Sequence, residues 1–234
     1  MHSVVTRHFE DRNELRVLDV NCGTGNDFDY FLKNGWDVIG VDGSAGMLSV
    51  AHTKFLDAIE NGQLNLLSGQ LEEWTTTEDL GGPFDLIYSI TGGFSYIDDS
   101  QLAEFNKNLK EHLKPDGLLI VANLSSFCLM ESVYCFITGQ FNKAFRRKSG
   151  GLEVDIQGER HMMWLRGSTT LRDIYSKEFD IVSMVPLLTL TPPYQSGYSP
   201  PAWLTRVHRI VESTLMRWRI GVKISDQIIT IARR

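Results

Sequence analysis

Asp19 and Asp42 are the residues of this 234-residue chain best placed to do chemistry, because each closes a short apolar run that reads as a buried strand. Arg16-Val17-Leu18-Asp19-Val20 leads into Asn21-Cys22-Gly23-Thr24-Gly25-Asn26, and Asp37-Val38-Ile39-Gly40-Val41 delivers Asp42. Ligands of an open α/β sheet bind in the crevice beyond the carboxyl ends of its strands, so acids at two neighbouring strand tips flank one crevice. Gly23 and Gly25 let the backbone come close to a ligand there. A carboxylate after the second strand can accept both hydroxyls of a ribose, and an acid at the head of the turn suits a cationic amino group.

Two nucleotide-like ligands compete for such a turn. A dinucleotide fingerprint places glycine at positions one, three and six, with an acid about 20 residues further on; here those positions hold Asn21, Gly23 and Asn26. An NAD-dependent oxidoreductase is therefore the weaker reading. The spacing Asp19-x-Asn21-x-Gly23-x-Gly25 resembles the acid-x-Gly-x-Gly-x-Gly first motif of class I S-adenosylmethionine-dependent methyltransferases, with Asn21 in place of the first glycine. Asparagine is the tolerable substitute, since it visits positive φ more readily than other residues with a Cβ. Gly40-Val41-Asp42-Gly43-Ser44-Ala45-Gly46-Met47-Leu48 resembles the second motif of the same family. The resemblance implies S-adenosylmethionine as cofactor. Asp19 and the turn Asn21, Cys22, Gly23 and Gly25 would then hold its methionine and sugar side, Asp42 with Gly43 the ribose, and Met47 the adenine. Each residue also has a plain structural reading: a strand-to-helix turn for the glycines, a helix cap for Asp42, core packing for Met47.

The resemblance extends through the following elements. Leu64–Ser68 reads as a third strand, after which Gln70 and Leu71 stand where the family contacts adenine. Gly81-Gly82-Pro83 breaks the chain, and Phe84-Asp85-Leu86-Ile87-Tyr88-Ser89-Ile90 reads as a fourth, buried strand whose end, at Ser89, would lie beside the methyl group. A helix is expected over Ser100–Leu113, stopped by a Lys114-Pro115-Asp116-Gly117 turn, with Leu118–Asn123 as the fifth strand. Phe179–Val185 is expected as the sixth strand and Gln227–Ala232 as a last, antiparallel one. The implied fold is α/β, a Rossmann-like doubly wound, mostly parallel seven-stranded sheet. It would form one domain over 1–234, with 1–123 the donor-binding half, 124–223 the lid and substrate-covering insertions around the sixth strand, and 224–234 the last strand.

Substrate chemistry is expected in the insertions. Ser125–Phe145 carries a helical apolar pattern that includes Phe127, Met130, Val133, Tyr134 and Ile137, and Leu152–Ile156 with Arg160–Trp164 can form a hairpin bearing His161. Methyl transfer to a hydroxyl or ammonium needs a general base within hydrogen-bond reach of the acceptor, and His161 is the candidate. Tyr194 and Tyr198, in the proline-rich stretch Thr191–Pro201, are candidates to line the acceptor pocket, since prolines place aromatic groups at little conformational cost. Trp203, Leu204, Val207, Ile210, Val211, Leu215 and Trp218 recur at helical spacing, as core or as a dimer contact. The family usually has one or two helices before its first strand, whereas 15 residues precede Arg16 here. The lid is thus expected from the insertions, unless the chain begins upstream of Met1.

Composition limits the alternatives. Residues 1–139 hold 8 Lys or Arg against 21 Asp or Glu, and residues 140–234 hold 15 against 8. The acidic donor half argues against broad nucleic-acid binding, which rests on many phosphate contacts; the basic run Lys143, Arg146, Arg147 and Lys148 reads as a solvated loop or a dock for an anionic substrate. Cys22, Cys128 and Cys135 form no Cys-x-x-Cys zinc spacing, so no metal is expected, and three cysteines suit a reducing cytoplasm. No apolar run approaches the roughly 18 residues that span a bilayer, so no membrane partner is expected. A non-catalytic donor-binding protein remains the other alternative, because no acceptor motif such as Asn-Pro-Pro-Tyr follows Ile90; Thr91-Gly92 stand there.

Overall fold

Strand β1 (Arg16–Val20) is buried at every residue after Arg16, as a strand covered on both faces must be. In this computed structural model the described residues are 5–6, 8–9, 14–69, 80–156, 159–190, 210–215, 218 and 221–234. With β1, the strands β2 (Asp37–Asp42), β3 (Leu64–Ser68), β4 (Phe84–Ser89), β5 (Leu113–Leu124), β8 (Asp180–Leu187) and β9 (Gln227–Arg233) form a seven-stranded sheet in the order β3-β2-β1-β4-β5-β9-β8. The sheet is mostly parallel, β9 running antiparallel to β5. β6 (Gly151–Ile156) and β7 (Glu159–Trp164) form a separate antiparallel pair. The helices are α1 (Phe28–Lys33), α2 (Ala45–Lys54), α3 (Leu56–Glu60), α4 (Asp99–His112), α5 (Leu129–Ile137) and α6 (Ser168–Tyr175). This is the Rossmann-like architecture that the resemblance implied.

The chain divides into two units, Met1–Thr91 with Glu104–Ile120 and Arg233–Arg234, and Gly92–Ala103 with Val121–Ala232. The first is organised by parallel pairing: β1 aligns Val17 to Val38 and to Leu86, and Asp19 to Gly40 and to Tyr88. Because these strands run the same way, Asp19, Asp42 and Ser89 are delivered to one edge. The connection from α1 to β2 is set by a glycine-terminated helix end. Gly35 takes φ +76°, its N–H and that of Trp36 bond the carbonyls of Leu32 and Phe31, and Trp36 stacks on Phe31 at 5.9 Å. Phe28, buried like Phe31, faces the backbone of Gly40 and Gly25 so closely that a Cβ at either would fall on its ring.

The second unit is held by charge as well as apolar contact. Buried Arg166 bonds Asp99 at 2.7 Å and the carbonyl oxygens of Phe94 and Ile97. Buried Glu131 accepts from Arg146 and Arg147, both at 2.7 Å, and Arg147 also reaches Asp226 at 2.6 Å. Two of the four cations of the basic run, Arg146 and Arg147, thus brace a buried carboxylate, while Lys143 and Lys148 are exposed.

Two elements depart from the sequence expectation. β5 begins at Leu113 and takes in Lys114–Gly117, expected as a turn; Leu113 is fully buried and Lys114 is drawn to the buried carboxylate of Asp85 at 2.7 Å. The helix expected over Ser125–Phe145 is α5 alone, followed by short 3-10 turns at Phe141–Lys143 and Arg146–Ser149. Gly139 at φ +71° ends it, with the Gly139 and Gln140 N–H groups bonding the carbonyls of Phe136 and Cys135. Along its apolar stripe Val133 and Ile137 are exposed. The helical stripe from Trp203 and the proline-rich stretch lie outside the described residues, except that 210–215 are helical.

Because a methyl group at Gly40 would enter the space of the Phe28 ring, Gly40→Ala is expected to cost about 1–3 kcal/mol in urea unfolding. Combining it with Phe28→Leu should restore part of that loss, and additive losses would place the strain elsewhere.

Candidate active site

The crevice is built by a turn that no ordinary side chain fits. After β1, Asn21, Gly23 and Gly25 adopt φ of 58°, 56° and 71°, in the left-handed region that glycine and asparagine enter most readily. Asn21 thus does the conformational work of a glycine while adding an amide to the wall. The Cys22 N–H bonds the Val41 carbonyl at 2.9 Å, and Thr91 Oγ1 donates to the Asn21 carbonyl at 3.0 Å. The turn is in this way tied to both strands that flank β1.

Asp42 is the joint. Its Oδ2 accepts from the Gly23 N–H and its Oδ1 from the Ser44 N–H, each at 2.8 Å, so one carboxylate fixes the turn after β1 and the entry to α2. Ser44 is the helix cap, its Oγ accepting from the Met47 N–H at 3.4 Å. Asp42 remains partly exposed, and each carboxylate oxygen keeps a further lone pair for a hydroxyl donor. Gly43 is exposed beside it. Met47 is 49% exposed, so it is not core; its sulfur stands 3.5 Å from where a Cβ on Gly23 would be.

Behind the turn lies a cavity of about 290 Å³ lined by Asp19, Asn21, Cys22, Asn26, Asp27, Ile90 and Thr91. Among these residues are two acids and no base. Asp19 is 4% exposed, and burial first, then the charges of Asp27 and Asp42, push its carboxyl well above the ordinary carboxylate range. Burial first, then Asp19 and Asp42, raises the Cys22 thiol, keeping it neutral and unreactive. The side-chain nitrogen of Asn21 is buried without a hydrogen-bond partner.

Of the residues expected from sequence, Asp19, Asn21 and Cys22 line this cavity, while Gly23, Gly25, Asp42, Gly43 and Met47 form the turn and the strand tip around it. Ser89 is fully buried with its hydroxyl unpartnered, and the next residues, Ile90 and Thr91, reach the cavity. Gln70, Leu71, Tyr194 and Tyr198 lie outside the described residues. His161 sits on β7 opposite Val154, in the other unit, its ring edge-on to Tyr96 at 6.2 Å. No group of three or more His, Cys, Asp or Glu able to hold a metal occurs among the described residues.

Sequence reasoning missed Asp27. It stands at the N-terminus of α1, where an acid reads as a helix cap, yet it makes no side-chain cap bond. Instead it faces the cavity and accepts from the buried Tyr88 hydroxyl at 3.3 Å. The signal that could have found it is the pairing of Asp19 with Tyr88 across β1 and β4, which puts a buried phenol under the turn.

A methyltransferase domain model matches residues 17–117, the span that contains this turn, both acids and the first four strands. Over this span the chain is similar to methyltransferase domains, and S-adenosylmethionine-dependent methyltransferases share its fold. A ubiquinone biosynthesis O-methyltransferase of Rickettsia felis is 28% identical over 123 residues, 52% of this chain and 46% of the relative. A glycine N-methyltransferase of Rattus norvegicus is 28% identical over 114 residues, 45% of this chain and 39% of that one. The chain thus spans less than half the length of these curated relatives. A methyltransferase structure from Methanosarcina mazei superposes with a TM-score of 0.64 at 14% identity, over 100% of this chain and 98% of that one, and supports the fold. The matched span holds the turn after β1 and the strands beside it.

The raised carboxyl of Asp19 makes a measurable claim about the ligand-free protein. A folded-state value above the unfolded value of about 3.9 gives stability that is complete below the latter and is lost as pH rises through the former. Asp19→Asn removes that loss. Its melting temperature relative to the wild type is expected to climb as pH rises from about 4 and then level off, whereas a constant difference would show Asp19 to be ionised in the fold without cost.

Proposed function

We propose that the protein transfers the methyl group of S-adenosylmethionine to a small-molecule acceptor, with the donor held in the acid-walled crevice beyond β1 and β2. The observation that carries this reading is the buried Asp19 crowded by Asp27 and Asp42. Such a wall favours a ligand with sulfonium and ammonium charges and disfavours the anionic pyrophosphate of a dinucleotide. The unpartnered Asn21 amide offers a donor on the same wall, so the residues fit the group.

When bound, S-adenosylmethionine supplies an electrophilic methyl on a positively charged sulfur. In our reading Asp19 and Asp27 hold the cationic amino-acid end, Asp42 accepts from the ribose hydroxyls, and Cys22, Gly23, Gly25 and Gly43 admit the ligand to the backbone. Met47, Gln70 and Leu71 cover the adenine, and Ser89 lies toward the methyl. Little new charge forms during such a displacement, so positioning carries much of the rate. Where the acceptor bears a proton at neutral pH, His161 takes it, with Tyr194 and Tyr198 lining the acceptor pocket. Relatives named for glycine and for ubiquinone biosynthesis support a small acceptor. Three buried free thiols suit a cytoplasmic setting, and no helix among the described residues is long and apolar enough to cross a membrane.

Calorimetry separates the readings. Micromolar binding of S-adenosylmethionine and S-adenosylhomocysteine, with none of NAD, is expected; a preference for NAD overturns the proposal. Asp42→Ala should weaken donor binding about 100-fold, the loss of two charge-assisted hydrogen bonds, and a circular-dichroism spectrum should show that the fold persists. Formation of S-adenosylhomocysteine with metabolite pools then tests turnover, and donor binding without turnover in any pool would favour a non-catalytic binding protein.

A further inference from the structure

Helix α5 is inside out. Its buried residues are Glu131, Ser132 and Cys135, whereas Leu129, Val133, Phe136 and Ile137 are exposed, Ile137 by 80%. This orientation is enforced rather than incidental. Glu131 is gripped by Arg146 and Arg147, and the Ser132 hydroxyl donates to the Ala144 carbonyl at 2.6 Å, so the polar side is pinned inward and the apolar side must face out.

The outward face continues past the helix end. Phe141 is 64% and Phe145 48% exposed, and Phe136 meets both rings, at 5.7 and 5.9 Å, while Phe127 stacks on Phe145 at 6.3 Å. Lys148 lies over the Phe145 and Phe127 rings at 5.0 and 5.7 Å, and Lys143 is exposed beside them. Between Phe127 and Ser149 the sole acid is Glu131, which is buried and paired. Here a chain of net charge −6 presents an apolar aromatic surface edged by the exposed Lys143 and Lys148.

We propose that this surface docks the protein on an anionic lipid bilayer, with Phe136, Ile137 and Phe141 entering the headgroup boundary and Lys143 and Lys148 meeting lipid phosphates. Protruding aromatic and aliphatic side chains flanked by lysine match an interfacial helix, whose binding combines apolar insertion with attraction to anionic lipid. The charge complementarity selects a lipid surface over a second copy of this chain, because a copy would set Lys143 and Lys148 against the same two lysines in an isologous contact. The lack of a spanning apolar run does not bear on this mode of attachment, which needs none. The proposal is independent of the donor site.

Sedimentation of the purified chain with vesicles tests it, comparing pure phosphatidylcholine with phosphatidylcholine containing phosphatidylglycerol. Binding to the anionic vesicles is expected, weakened by salt, by about fivefold for each of Lys143→Ala and Lys148→Ala, and by about tenfold or more for Ile137→Ser with Phe141→Ser. Unchanged melting and S-adenosylmethionine binding would show that these exposed substitutions leave the protein intact. Equal binding to both vesicle types, no binding to either, or binding unaffected by the double substitution overturns the proposal. So does an equilibrium dimer that the double substitution dissolves while vesicles recruit nothing, which would give the surface to a second copy.

Discussion

A buried acid crowded by two others is the constraint on which the first unit of this protein turns. Asp19 lies at the end of a fully covered strand, with Asp27 and Asp42 close enough to raise its carboxyl further. Leaving that charge unsatisfied is expensive, and the described lining of the cavity supplies no basic residue to relieve it. A positive charge brought into the cavity would lower that cost, since an opposite charge favours the ionised carboxylate.

The geometry that brings those acids together depends on small residues more than on large ones. Asp42 can bond the Gly23 N–H only because the turn folds back through three left-handed residues. The turn itself sits down on β2 because Gly25 and Gly40 leave room for the Phe28 ring between them. Phe28 and its neighbour Phe31 fill the space under the crevice, so aromatic packing and ligand geometry are two consequences of one set of missing side chains. A larger residue at Gly40 would be felt at the site although it touches no ligand.

The donor half was legible because its rules are local. A strand that ends in an acid, a left-handed turn and a second strand that ends in an acid are each specified within a few residues, and Asn21 at φ 58° is the clearest case. The starts and stops were less so: Lys114-Pro115-Asp116-Gly117 has turn residues, yet the pull of Asp85 on Lys114 begins the strand sooner. Asp27 was hidden because its position fits a helix cap, and only the partner strand reveals that Tyr88 takes its carboxylate. Helix α5 shows a deeper limit. Periodicity reports that a helix has an apolar side, but the side that turns inward is chosen by long-range partners, here two arginines on the segment after the helix.

The uneven charge along the chain has two physical meanings that a net value conceals. In the second unit, buried charges are matched: Glu131 by Arg146 and Arg147, Arg166 by Asp99. A matched buried pair contributes little net stability against an apolar alternative, but removing one partner strands the other, so such pairs fix which way an element faces. In the first unit the acids around the crevice crowd one another and raise the Asp19 carboxyl. Arg146, Arg147 and Arg166 are thus not a diffuse basic character available to any anion. They fix orientation, while Lys143 and Lys148 face outward beside exposed aromatic rings.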